Sequence, residues 1–140
     1  MQSITSLEVR NAMKEAWNDS FADDEVTRHE EGGYIVLNAD GSLDVELWLQ
    51  GAGAYIVPPL REIDGTYNGK VVIGEFHTHP NPPIDETGKK WTEGPSPGDL
   101  SGIQAELYPG DSYVIGHNNV YAISKDGVPS TLGTKADVLQ

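Results

Sequence analysis

From Pro80 to Gly98 proline and glycine recur so densely that neither a helix nor a strand can run through the segment. Proline removes a backbone donor and fixes φ, while glycine adds conformational freedom that regular structure must suppress. The chain must cross this stretch as a long loop, and long loops in compact domains tend to carry function. Any fold has to bring a strand up to position 80 and restart regular structure near position 98.

The residues bracketing the loop are chemically pointed. Lys70 to His77 is a Val- and Ile-rich strand pattern that runs into His77-Thr78-His79-Pro80. Histidines at i and i+2 of a strand project from one face, so both imidazoles can reach one metal ion. His-x-His also recurs as ordinary hydrogen-bonded structure. At the far end stands Ser96-Pro97-Gly98-Asp99, which is sufficiently explained as a helix start: a serine N-cap, a proline in the first turn and a carboxylate near the positive end of the helix. The same arrangement is a stiff mount for a ligand, so the two readings are compatible.

Composition narrows the chemistry. The chain of 140 residues fits one domain, 1–140, and contains no apolar run approaching a membrane span. The first twenty residues hold Arg10 and Lys14 in a polar helical pattern rather than a secretory signal, which makes a cytoplasmic location the expectation. There is no cysteine, so disulfides and thiol catalysis are excluded, and a zinc site must be built from histidine and carboxylate. A formal charge of -13 argues against a nucleic-acid partner.

Along the rest of the chain, Leu7, Ala12, Met13, Ala16 and Trp17 follow helical spacing over 6–17, with Ser6 as N-cap. Tyr34 to Leu37 and Leu43 to Leu49 are strands around an Asn38-Ala39-Asp40-Gly41 hairpin turn. Gly51 to Gly69 reads as loop with a short strand at Ala54 to Val57. Pro97 to Leu107 reads as a helix stopped by Pro109-Gly110. Tyr113 to Ile115 and Val120 to Ile123 are short strands, and the tail after Val128 is expected to be loosely held. The order implies an α+β, three-layer α/β/α-like fold, a mixed sheet flanked by the N-terminal helix and the helix after the loop.

Glu30-Glu31-Gly32-Gly33-Tyr34, then His77-Thr78-His79-Pro80, then Ser96-x-x-Asp99, resembles the JAMM/MPN+ zinc metalloprotease family, the JAB domain, over roughly residues 6 to 124. The loop between His79 and Ser96 is longer than in the familiar deubiquitinating members and is more similar to bacterial ones. The resemblance implies a JAB/MPN-like fold, a zinc ion held by His77, His79 and Asp99, Glu30 as the base that activates water, and Ser96 as hydrogen-bond donor to the oxyanion. In that family a glycine stands three residues after the catalytic glutamate, so the resemblance and Gly33 select Glu30; Glu31 would point the opposite way along an extended segment and reads as a solvated carboxylate. The implied activity is that of a peptidase or isopeptidase acting on a protein or peptide, such as the C-terminus of a ubiquitin-like or sulfur-carrier protein. Glu75 shares the strand face of the two histidines and is a candidate to orient one of them. His29 and His117 read as structural. Lys89-Lys90-Trp91 is a candidate substrate contact, and packing on the domain is the alternative. The competing readings are a non-catalytic MPN-type binding scaffold and a cupin-like metal-binding barrel, in which Glu86 would be the carboxylate after His-x-His.

Overall fold

The computed structural model describes residues 3–96, 99 and 111–140. The helix expected after the loop therefore lies outside the described residues. A short 3-10 turn, Ser3–Thr5, precedes α1 (Leu7–Asp19), whose first turn is capped by Ser6. Val9, Met13 and Ala16 form its buried face, spaced one helical turn apart. Leu7, expected on that face, is exposed because the stripe is centred on Val9 instead.

Seven strands follow: β1 (Gly32–Leu37), β2 (Leu43–Leu47), β3 (Thr66–Tyr67), β4 (Lys70–Thr78), β5 (Asp111–Ile115), β6 (Asn119–Ile123) and β7 (Pro129–Thr134), with a closing single-turn helix α2 (Lys135–Val138). They form one open mixed sheet of order β2-β1-β4-β5-β6-β7, with β3 paired to β4. An open sheet is not the closed barrel of a cupin. Only β4 and β5 run parallel among the described pairings; all others are antiparallel. A parallel neighbour requires a crossover, and the proline-rich loop is its beginning. That places the loop at the carboxyl end of β4, where the histidines are.

Each face of the sheet has its own core. Ile35, Phe76, Tyr113, Ile115 and Val120 pack with Val9, Met13 and Ala16 of α1 and with Leu139 beyond α2. Tyr34, Val36, Trp48 and Val72 pack on the opposite face with Ile56 and Tyr67. The continuous burial of β1 from Gly32 to Val36 follows from being covered on both sides. Because both described helices pack into the first core, they do not supply a helix to each face; the second face is covered by the segment after β2.

Two expectations are corrected. Ala54 to Val57 is not a strand; the strand of that region is β3, which forms a hairpin with β4 through Asn68 and Gly69, both at positive φ. Its signal was missed because two residues are too few to show a period. The tail after Val128 is not loose: β7 pairs with β6, and Leu139 is 2% exposed within the first core. Leu139→Ala is therefore expected to cost about 2–5 kcal/mol in chemical denaturation, whereas a loss within about 0.5 kcal/mol would mark the tail as dispensable surface.

The tail also carries a half-buried cation. Lys135 Nζ lies 3.2 Å from the centre of the Trp17 ring and donates to the Gly116 carbonyl at 3.1 Å. Burial pushes its ammonium down to about 8, against the opposing pull of Glu93 and Asp23. Between that value and the ordinary 10.5 the unfolded chain keeps a proton that the folded chain has released, so stability from this group rises with pH across that window. Thermal unfolding at about pH 7.5 and about pH 9.5 should show wild type gaining on Lys135→Met at the higher pH; a constant gap would refute the half-buried-cation account.

Candidate metal centre

The site is assembled by β4, the residues preceding β1, and the loop. β1 and β4 are antiparallel with Gly32 opposite His77, which sets Glu30 and Glu31 alongside Thr78 and His79. Backbone hydrogen bonds continue that register past the strand ends: Thr78 N–H donates to the Glu31 carbonyl, and His79 N–H to that of Ile115 on the other side. Glu30 is fixed by a reciprocal backbone pair with the segment after β2, donating to the Ala52 carbonyl while its own carbonyl accepts from Gly51, both at 2.8 Å. Gly32 permits this close packing: a Cβ there would stand 2.6 Å from the Trp48 ring and 2.7 Å from the Phe76 carbonyl oxygen.

Thr78 points away from the histidines and is fully buried. Its Oγ1 accepts from the Glu31 N–H at 2.9 Å and shares a 2.7 Å hydrogen bond with Ser20 Oγ, which donates to Ala16 at the end of α1. The middle residue of the His-Thr-His run thus ties the helix end to the strand that carries both imidazoles.

His77, His79 and Asp99 meet at one point. The two Nε2 atoms are 3.1 Å apart, and each lies 3.2 Å from a different oxygen of the Asp99 carboxylate. Tetrahedral zinc bonds of about 2.0–2.1 Å require ligand atoms about 3.3 Å apart, and the separation of the two nitrogens and of each nitrogen from its own Asp99 oxygen are both close to that spacing. The donor chemistry agrees. His79 Nδ1 lies 3.2 Å from the Glu93 carbonyl, an acceptor only, so Nδ1 is the donor there and Nε2 is the nitrogen turned toward Asp99 and available to a metal. A ring nitrogen facing a carboxylate oxygen is joined to it by a cation, either its own proton or a metal ion that takes the proton's place.

Glu30 completes the cluster, with a carboxylate oxygen within 4.8 Å of both imidazole nitrogens; Glu30, His77 and His79 form a group that can hold a metal ion. Burial pushes the Glu30 carboxyl up to about 7, opposed by the attraction of the two imidazoles. Asp99 responds the other way: burial raises it, but hydrogen bonds from His77 and His79 hold it well below the usual carboxylate range. Burial lowers the His77 imidazole, and its hydrogen bond to Asp99 more than offsets that, leaving it raised. Two carboxylates facing the same imidazoles are thereby pushed apart, one toward protonation near neutrality and one toward permanent ionisation.

Ser96 and Asp99 form the reciprocal pair expected of a helix start. Ser96 N–H donates to Asp99 Oδ2 at 2.9 Å, and Asp99 N–H donates to Ser96 Oγ at 3.2 Å. Ser96 Oγ spends a lone pair on this cap and retains its proton for another acceptor. A cleft of about 490 Å³ opens over these groups, with Trp48, Tyr55, Ile56 and Trp91 among its apolar walls.

The remaining sequence candidates divide. Glu75 is buried on the same wall of the cleft and accepts from Ser112 Oγ at 3.4 Å. Glu31 is not a solvated carboxylate as expected: it binds His29 Nε2 at 2.8 Å, because the turn before β1 brings the two side chains together. His29 is otherwise held by the Thr27 carbonyl; burial lowers its imidazole, but these two hydrogen bonds prevail and raise it. His117 is structural, bonded to the Pro80 carbonyl and edge-on to Trp17. Trp91 is half-buried and lines the cleft, its indole N–H held by Asp85 and its ring covered by Lys89 Nζ at 4.0 Å. Glu86, the carboxylate a cupin reading would need, is paired with the buried Arg28 instead. Sequence reasoning missed Glu93 as a site-building residue, since it has no local pattern and acts across long separations.

No protein-family model matches the chain, and a search of curated proteins finds no significant match. No helix among the described residues is long and apolar enough to cross a membrane.

Proposed function

We propose that this chain is a zinc-dependent peptidase or isopeptidase of the JAMM/MPN+ type, with a JAB/MPN-like fold, acting on a protein or peptide that reaches the cleft at the carboxyl end of β4. The observation that carries this reading is the convergence of His77, His79 and the Asp99 carboxylate with the buried Glu30 beside them. Bound there, zinc supplies a Lewis acid that polarises a carbonyl and makes water acidic enough to act as a nucleophile near neutral pH.

The chain's own groups do the rest. Asp99 stays ionised and offers one oxygen toward each histidine, which makes it the ligand carboxylate. Glu30 has a carboxylate oxygen within 4.8 Å of both imidazole nitrogens, placed to take a proton from water and later return it to the departing amine. Ser96 Oγ–H is free to donate to the oxyanion that develops on the substrate carbonyl. The apolar cleft walls exclude water and hold the substrate chain beside these groups.

Metal content tests the premise. The purified chain, prepared without chelator, is expected to carry about one zinc per molecule by elemental analysis, as a site with three protein ligands and an open position for water should. A metal-free preparation that also fails to take up added zinc would overturn the reading. Metal bound without hydrolysis of any peptide or isopeptide substrate would favour the non-catalytic scaffold.

A further inference from the structure

Glu93 is tied into the site at both ends. Its backbone carbonyl is the acceptor for His79 Nδ1 at 3.2 Å. Its carboxylate is bound on both oxygens, accepting from the Asn118 N–H in the turn between β5 and β6 and from Tyr121 Oη at 2.6 Å. A single residue therefore joins the metal-bearing end of β4 to a hairpin two strands along the sheet. The fit is close on the hairpin side: a Cβ on Gly116 would stand 2.3 Å from Glu93 Cγ. Two residues earlier, Trp91 forms part of the cleft wall.

The consequence follows from the chemistry of the imidazole. With its Nδ1 proton held by a carbonyl, His79 keeps its ring plane and presents Nε2 as the metal-binding lone pair. A loop carbonyl does this only while the loop is held still, and hydrogen bonds to a charged carboxylate are the strong kind. We infer that Glu93 is a positioning residue of the metal centre, its carboxylate anchoring the loop to the β5–β6 hairpin so that its carbonyl fixes the tautomer and orientation of His79. This rests on the metal-centre reading above and extends it to a residue outside the ligand set.

The test measures metal binding by the whole chain rather than turnover. Zinc affinity is read by chelator competition, and ligand geometry by the visible absorption of the cobalt-substituted protein, for wild type, Glu93→Ala, Tyr121→Phe and His79→Ala. Glu93→Ala is expected to weaken zinc binding by about 10- to 100-fold with an altered cobalt spectrum, the range for losing a supporting partner of a ligand. Tyr121→Phe, which removes one of the two anchors, should fall between it and wild type, with unchanged thermal unfolding of the metal-free protein. Wild-type affinity and spectrum in Glu93→Ala, alongside loss of zinc in His79→Ala, would overturn the role of Glu93 and leave the metal centre standing. Absence of zinc binding in wild type would overturn both. Should Glu93→Ala not fold, Tyr121→Phe decides: affinity equal to wild type refutes the anchor.

Discussion

Glu30→Gln is expected to abolish hydrolysis while leaving zinc bound. The amide preserves the size of the side chain and its place beside the imidazoles but cannot accept a proton from water, and positioned acid–base groups contribute about 10²- to 10⁴-fold to rate. Metal should stay because Asp99 and the two histidines already bring donor atoms within 3.1–3.2 Å of one another without Glu30. The measurement pairs turnover of a peptide or isopeptide substrate with zinc content of the same sample. Undiminished turnover would remove Glu30 from the reaction; loss of zinc would make Glu30 a ligand and leave the base unidentified. The variant is also the form in which to capture a substrate, since it should bind without releasing product.

His77→Ala and Asp99→Ala should behave in the opposite way, losing the metal and activity with it. Each removes one of the proposed ligands, and the loss in zinc affinity should exceed the roughly 100-fold ceiling for groups that only support a ligand. For Asp99 the experiment separates two roles, because its carboxylate also closes the helix-start pair with Ser96. If Asp99→Ala loses about 1 kcal/mol of stability, the usual cost of a lost cap, yet binds zinc tightly, capping is its whole function. Competition titration against a chelator, combined with chemical denaturation of the metal-free protein, distinguishes the two.

Much of this was legible in local sequence. The strand leading to His77, its pleat and the i, i+2 spacing put both imidazoles on one face, and the Ser96–Asp99 pair was readable because helix starts follow short rules. Glu31 was misread, since the extended-chain argument that turned it away from Glu30 was silent on the turn that delivers it to His29. The tail was misread for a similar reason. Pro129–Thr134 has little apolar periodicity of its own, and it is ordered by hydrogen bonds to β6 rather than by a buried face.

The division is physical. Side-chain alternation and capping depend on neighbours a few residues away, so the sequence alone determined which residues share a face and where the loop from Pro80 must begin and end. The pairing of β1 with β4 sets Gly32 opposite His77, 45 residues away, and the anchoring of Glu93 by Asn118 and Tyr121 spans 25 and 28. Only the tertiary structure could decide that Glu30 lies against both imidazoles and that a loop carbonyl holds His79, because hydrogen bonds between distant segments leave no periodic trace in either one.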